Sequence, residues 1–168
     1  EETARQFEDN AALSLSLQTA LLPSLDELAG VAGRETVIAR AIDVASRAEA
    51  TTLTSSIALM ARFHKQQGAL GEFLAGTRLP VARTRKGELV ALIYSDALFW
   101  TAAVDEAARD FTAVYAGEKA SSRGIWVVGE ASPAFESGAA GLGWQVHDRW
   151  QTSAPEDAAP KAAAEGAR

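Results

Sequence analysis

Apolar residues recur at helical spacing through the first 76 positions, after which the rhythm changes. From Thr3 to Leu22 the pattern predicts one helix that stops at Pro23, whose ring cannot continue an established helix. Ser24 followed by Glu27 fits a capping box for a short segment through Leu28. Gly30 and Gly33 interrupt the pattern. Val37, Ile38, Ala41, Ile42 and Ala45 then line one face of a third helix. Leu53, Ile57, Met60, Ala61 and His64 stripe a fourth, whose start is indistinct in the Thr- and Ser-rich run 51–56. Each helix has one apolar stripe and one polar face, which predicts a small helical bundle over residues 1–76.

Gly68, Gly71 and Gly76 read as a joint. Beyond it, Pro80–Arg85 and Glu88–Tyr94 are expected to be strands joined at Lys86-Gly87, where glycine supplies the left-handed conformation of a hairpin loop. Leu89-Val90-Ala91-Leu92-Ile93-Tyr94 is apolar without alternation and suits a central strand covered on both faces. A helix is expected from Thr101, its cap, to Tyr115. A strand follows at Ile125–Val128, then a short helix opening at Ser132-Pro133 and closing near Gly143, then a strand at Trp144–His147. The fold class is therefore α+β with an α/β-like carboxyl-terminal half. It comprises a helical lobe at 1–76 and a lobe at 77–150 with a four-stranded mixed sheet and two helices. Residues 151–168 carry no aromatic residue and no aliphatic side chain larger than alanine, so a disordered tail is expected there.

Composition narrows the function classes. There is no cysteine, which removes disulfides, thiolate metal sites and a catalytic thiol. The net charge of −6 argues against a nucleic-acid binder. Charge is segregated, however: Arg62, Lys65, Arg78, Arg83, Arg85 and Lys86 against Glu72 make the window 62–86 +5 and leave −11 elsewhere. Such asymmetry marks either a binding surface or a basic hairpin facing acidic neighbours in its own fold. No membrane-spanning run is present, and Glu1-Glu2-Thr3 suits the start of a processed, exported (periplasmic) protein as well as a piece trimmed from a longer one.

The candidate chemistries are few. His64 sits on an apolar helix stripe and is expected to be a packed histidine satisfied by the backbone. His147 and Asp148 are neighbours in an extended segment and point to opposite faces, so they are no preformed pair. Two isolated histidines make no metal motif, and no metal is expected. Gly129-Glu130-Ala131-Ser132-Pro133 lacks the second glycine of a nucleophile elbow, which leaves Ser132 as a helix cap. Gly138, Gly141 and Gly143 close a helix rather than open one, so no dinucleotide or other cofactor is expected. Two readings remain. The first is a non-enzymatic accessory or interaction domain that binds another protein through Arg78, Arg83, Arg85, Lys86 and Trp150, alone or as a subunit of a larger assembly. The second is a small-ligand binder or enzyme using the crevice at the carboxyl ends of the parallel strands, formed by Ser95, Asp96, Gly129 and Glu130.

Overall fold

A computed structural model describes residues 2–150 of the chain. The helix expected over Thr3–Leu22 is two helices, α1 (Glu2–Asp9) and α2 (Leu15–Glu27), with Asn10 at the break. The Asn10 side-chain oxygen accepts from Ala12 N at 2.8 Å. Its amide nitrogen donates to the carbonyls of Ala41, Ile42 and Val44 at 3.2, 2.8 and 3.1 Å. These close the end of α3 (Arg34–Ile42), where carbonyls lack intrahelical partners. One asparagine thus ends α1 and caps α3. Pro23, expected to stop a helix, lies inside α2. Leu21, Leu25 and Leu28 are buried around it. At about 1.5–3 kcal/mol each, they outweigh the ~3 kcal/mol cost of an interior proline. α4 (Arg47–Gln66) starts ahead of the Thr/Ser run, because Ser46 Oγ accepts from Glu49 N at 3.2 Å while Glu49 Oε2 accepts from Ala45 N at 3.0 Å.

The remaining elements are β1 (Leu70–Leu74), β2 (Val81–Thr84), β3 (Leu89–Ile93), β4 (Ala97–Leu98), α5 (Ala102–Val114), β5 (Arg123–Val127), β6 (Glu130–Ala131), α6 (Pro133–Gly141) and β7 (Gln145–His147). The architecture is mixed α+β. The main sheet has five strands, not four, in the order β1-β2-β3-β5-β7. The additional strand, β1, falls in the segment expected to be a glycine joint. It pairs antiparallel with β2, and the register shifts between Leu70 and Glu72, so Gly71 accommodates a bulge rather than ending a lobe. β2 and β3 are antiparallel, joined through Gly87 at φ +87°, while β3–β5 and β5–β7 are parallel. β4 and β6 form a separate two-stranded parallel ladder.

β3 is covered on both faces, as its unbroken apolar run predicts. Val90 and Leu92 join Leu70, Phe73 and Ala82 against α2, α3 and α4. Leu89 and Ala91 join Val81, Ile125 and Val127 against α5 and α6, around Tyr115, Phe135 and Trp144. The amino-terminal helices and the sheet therefore share one of the two cores. Thr101 and Ser132 cap α5 and α6 by accepting from Val104 N and Phe135 N, each at 3.2 Å. Among the described residues no helix is long and apolar enough to cross a membrane. The expectation for 151–168 falls outside the described residues.

Candidate functional site

One residue of the basic segment is engaged inside the fold. Arg83 inserts its guanidinium between the carboxylates of Glu72 on β1 and Glu118 in the loop after α5, and its side chain is only 26% exposed. Arg78 pairs with Glu49 at 2.9 Å. Arg85 and Lys86 are exposed at the hairpin tip and form no ion pair among the described residues. Arg83 is thus tied up within the fold while Arg78, Arg85 and Lys86 stay at the surface, and Trp150 packs beside Phe63 and Trp126.

The four crevice residues do come together, but backbone to backbone. Gly129 N and Glu130 N donate to Ser95 O and Asp96 O, each at 2.9 Å, in line with the β4–β6 ladder. Any side chain at Gly129 would overlap the Asp96 carbonyl, so peptide groups fill the space between these strand ends. The Glu130 carboxylate turns outward to Arg149, 3.2 Å away. Beside it an open hollow of about 460 Å³ is lined by Phe99, Glu136, Asp148 and Arg149 among others.

His64 is satisfied by the backbone, though by a donor rather than a carbonyl. Its Nδ1 accepts from Leu70 N at 2.9 Å, tying α4 to β1. His147 is placed differently. The parallel pairing of β5 with β7 sets Trp126 opposite His147, and their rings stack 4.1 Å apart at 19°. Trp126 also meets Phe63 edge-on at 5.1 Å and Trp150 at 5.8 Å.

These rings floor an open groove of about 820 Å³, rimmed by Gln66 and Gln67 at the end of α4 and by Asp148 after β7. The groove exists because the helical layer on this face stops short: α4 packs over β3, and α6, the helix packed on β7, belongs to the other core. Parallel strands are ordinarily buried on both faces, so this uncovered aromatic stretch departs from the rule.

Three features sharpen the site. Trp126 Nε1 is buried and has no hydrogen-bond partner among the described residues. Beside it, the Glu88 carboxylate leans over Gly124; a Cβ there would lie 2.9 Å from Glu88 Oε1 and 3.1 Å from Trp126 Nε1, which is why β5 carries glycine at this point. Burial lowers the pKa of His147, and the nearby Glu88 charge only partly opposes this.

The third feature is Arg149, which adopts the left-handed region at φ +51° and costs about 1–2 kcal/mol for a residue with a Cβ. It is held there by Arg149 N donating to Gly129 O at 2.8 Å and Trp150 N to Val127 O at 3.1 Å. This turn brings Asp148 and Trp150 to the same groove. The sequence places Trp126 only within a strand, considers Asp148 only as a neighbour of His147, and gives no signal for Gln66 or Gln67. Only the strand order β3-β5-β7 assembles them. Comparison with known protein families, with curated proteins and with solved structures returns no match.

Proposed function

We propose that this chain is a non-enzymatic binding domain that holds another protein on the groove floored by Trp126, His147 and Trp150. The observation that carries this reading is the stretch of parallel sheet, β5–β7, whose stacked aromatic rings are left only half-buried among the described residues. Indoles with one apolar body and one polar edge are frequent anchors of protein interfaces. The groove lies along β7, whose outer side pairs with no strand among the described residues, whereas the β1 edge is met by Ala32. An extended segment can add to such an edge through its backbone and lay side chains into the groove.

The residues lining the groove bring together two indoles, an imidazole, two amides, one carboxylate and Val146, apolar surface with hydrogen-bonding groups beside it that suits holding a polypeptide. Selection of displayed twelve-residue peptides on the immobilised protein tests the proposal. The enriched peptides are expected to lose binding on Trp150→Ala and on Gln67→Arg, which fills the groove, and to retain it on Arg85→Glu/Lys86→Glu. Peptides that ignore the groove variants and depend on the hairpin charges would refute it.

A further inference from the structure

We infer that the groove is selective for a cationic side chain, so that the partner is a basic polypeptide segment placing an arginine between Asp148 and the Trp126–Trp150 rings. The inference rests on the binding role proposed above and names its partner.

Charge complementarity is the basis. The described residues lining the groove include one carboxylate, Asp148, and no lysine or arginine. A second carboxylate, Glu88, stands behind His147 with no hydrogen bond or ion pair holding it among the described residues. Asp148 is lightly engaged: its Oδ2 is 3.5 Å from Ala131 N and 3.8 Å from Arg149 Nε, and Arg149 makes its shorter pair, 3.2 Å, with Glu130. One carboxylate, Asp148, thus borders the aromatic floor, and Glu88 adds negative charge close to His147.

Guanidinium groups stack on indole faces and fork onto carboxylates, and the groove lining supplies two indoles and one carboxylate. The groups around His147 favour the same ligand. Glu88 is acidic, Asp148 is acidic, and Gln66 and Gln67 from α4 are neutral, so no fixed positive charge among the described lining opposes a cation. The whole chain carries a net −6, which favours the approach of a basic segment at long range.

The test uses two blocked octapeptides of serine and glycine, one carrying two arginines and the other two citrullines. Citrulline keeps the planar shape of arginine but carries a carbonyl oxygen in place of one NH2 group, so the charge goes together with two of the five N–H donors. Binding is read from the tryptophan fluorescence of the whole chain. The arginine peptide is expected to bind about tenfold tighter than its twin. Asp148→Asn should remove most of that difference, and Glu106→Gln, an exposed change on α5, should leave it intact.

Equal binding of the two peptides, lost together on Trp150→Ala, would overturn the cation selectivity while leaving the groove as a binding site. Equal weakening by Asp148→Asn and Glu106→Gln would overturn it by showing only diffuse attraction to an acidic chain. No binding of either peptide would overturn it as well, and the displayed-peptide selection would then judge the binding role separately.

Discussion

Gly138→Ala adds one methyl group to α6, where helix propensity alone favours alanine by about 1 kcal/mol. The tertiary structure reverses that sign. A Cβ at Gly138 would lie well inside van der Waals contact of Cδ2, Cε2 and Cζ2 of Trp100, whose ring packs across the helix and meets Phe135 edge-on at 5.7 Å. If the indole stays, overpacking costs about 1–3 kcal/mol. If it swings away, re-exposing roughly half of a ~200 Å² indole at about 25 cal/mol per Å² costs about 2.5 kcal/mol. Subtracting the propensity gain leaves a net loss of up to about 2 kcal/mol, and each kcal/mol shifts the melting temperature of a domain this size by about 2–4 °C. Gly141→Ala is the internal control, because the same helix offers open space there, with nothing within 4 Å. That variant is expected to gain a few tenths of a kcal/mol to about 1 kcal/mol. Urea unfolding followed by circular dichroism measures both. If Gly138→Ala is as stabilising as Gly141→Ala, the packing of Trp100 on α6 is wrong.

Arg83→Glu sets a third carboxylate between Glu72 and Glu118 and should cost roughly 2 kcal/mol in chemical unfolding, whereas Arg85→Glu should stay within about 0.5 kcal/mol. Equal effects would show that Arg83 is not an internal tie. His147 has a folded pKa below its ordinary 6.5, so the unfolded chain takes up the proton first. Its contribution to stability is complete above about pH 6.5 and is lost as the pH falls through the lower folded value. The urea midpoint should therefore drop between pH 7 and 5, more steeply in the parent than in His147→Asn; parallel slopes would remove the burial argument. Tyr115→Phe deletes a hydroxyl 2.7 Å from Thr77 Oγ1 in the core under α5, and should cost about 1 kcal/mol by thermal unfolding.

Local chemistry made much of the fold legible. Thr101 and Ser132 begin helices because their hydroxyls satisfy amides three residues ahead, and Gly87 turns the hairpin because only glycine takes its positive φ without strain. The unalternating run of β3 announced a strand covered on both faces, since alternation disappears when neither face meets water. Features decided at long range did not show. Asn10 breaks the first helix because carbonyls some 30 residues away need a donor, and Pro23 survives within α2 because the surrounding leucines are buried. β1 looked like a joint because its glycines are explained only by its partner strand.

The candidate site divides in the same way. His147 and Trp150 could be singled out along the chain as residues without an evident role. Their meeting with Trp126, Glu88 and Asp148 could not, because strand order is set by which faces must be buried and not by spacing in sequence. The basic hairpin likewise reads as a surface until β1 and the loop after α5 bring Glu72 and Glu118 to Arg83. The sequence alone determined the capped helices α5 and α6, the hairpin turn and the covered strand β3, because these rest on local chemistry. The tertiary structure decided which charges cancel and where an aromatic face stays open, because both depend on neighbours that only folding supplies.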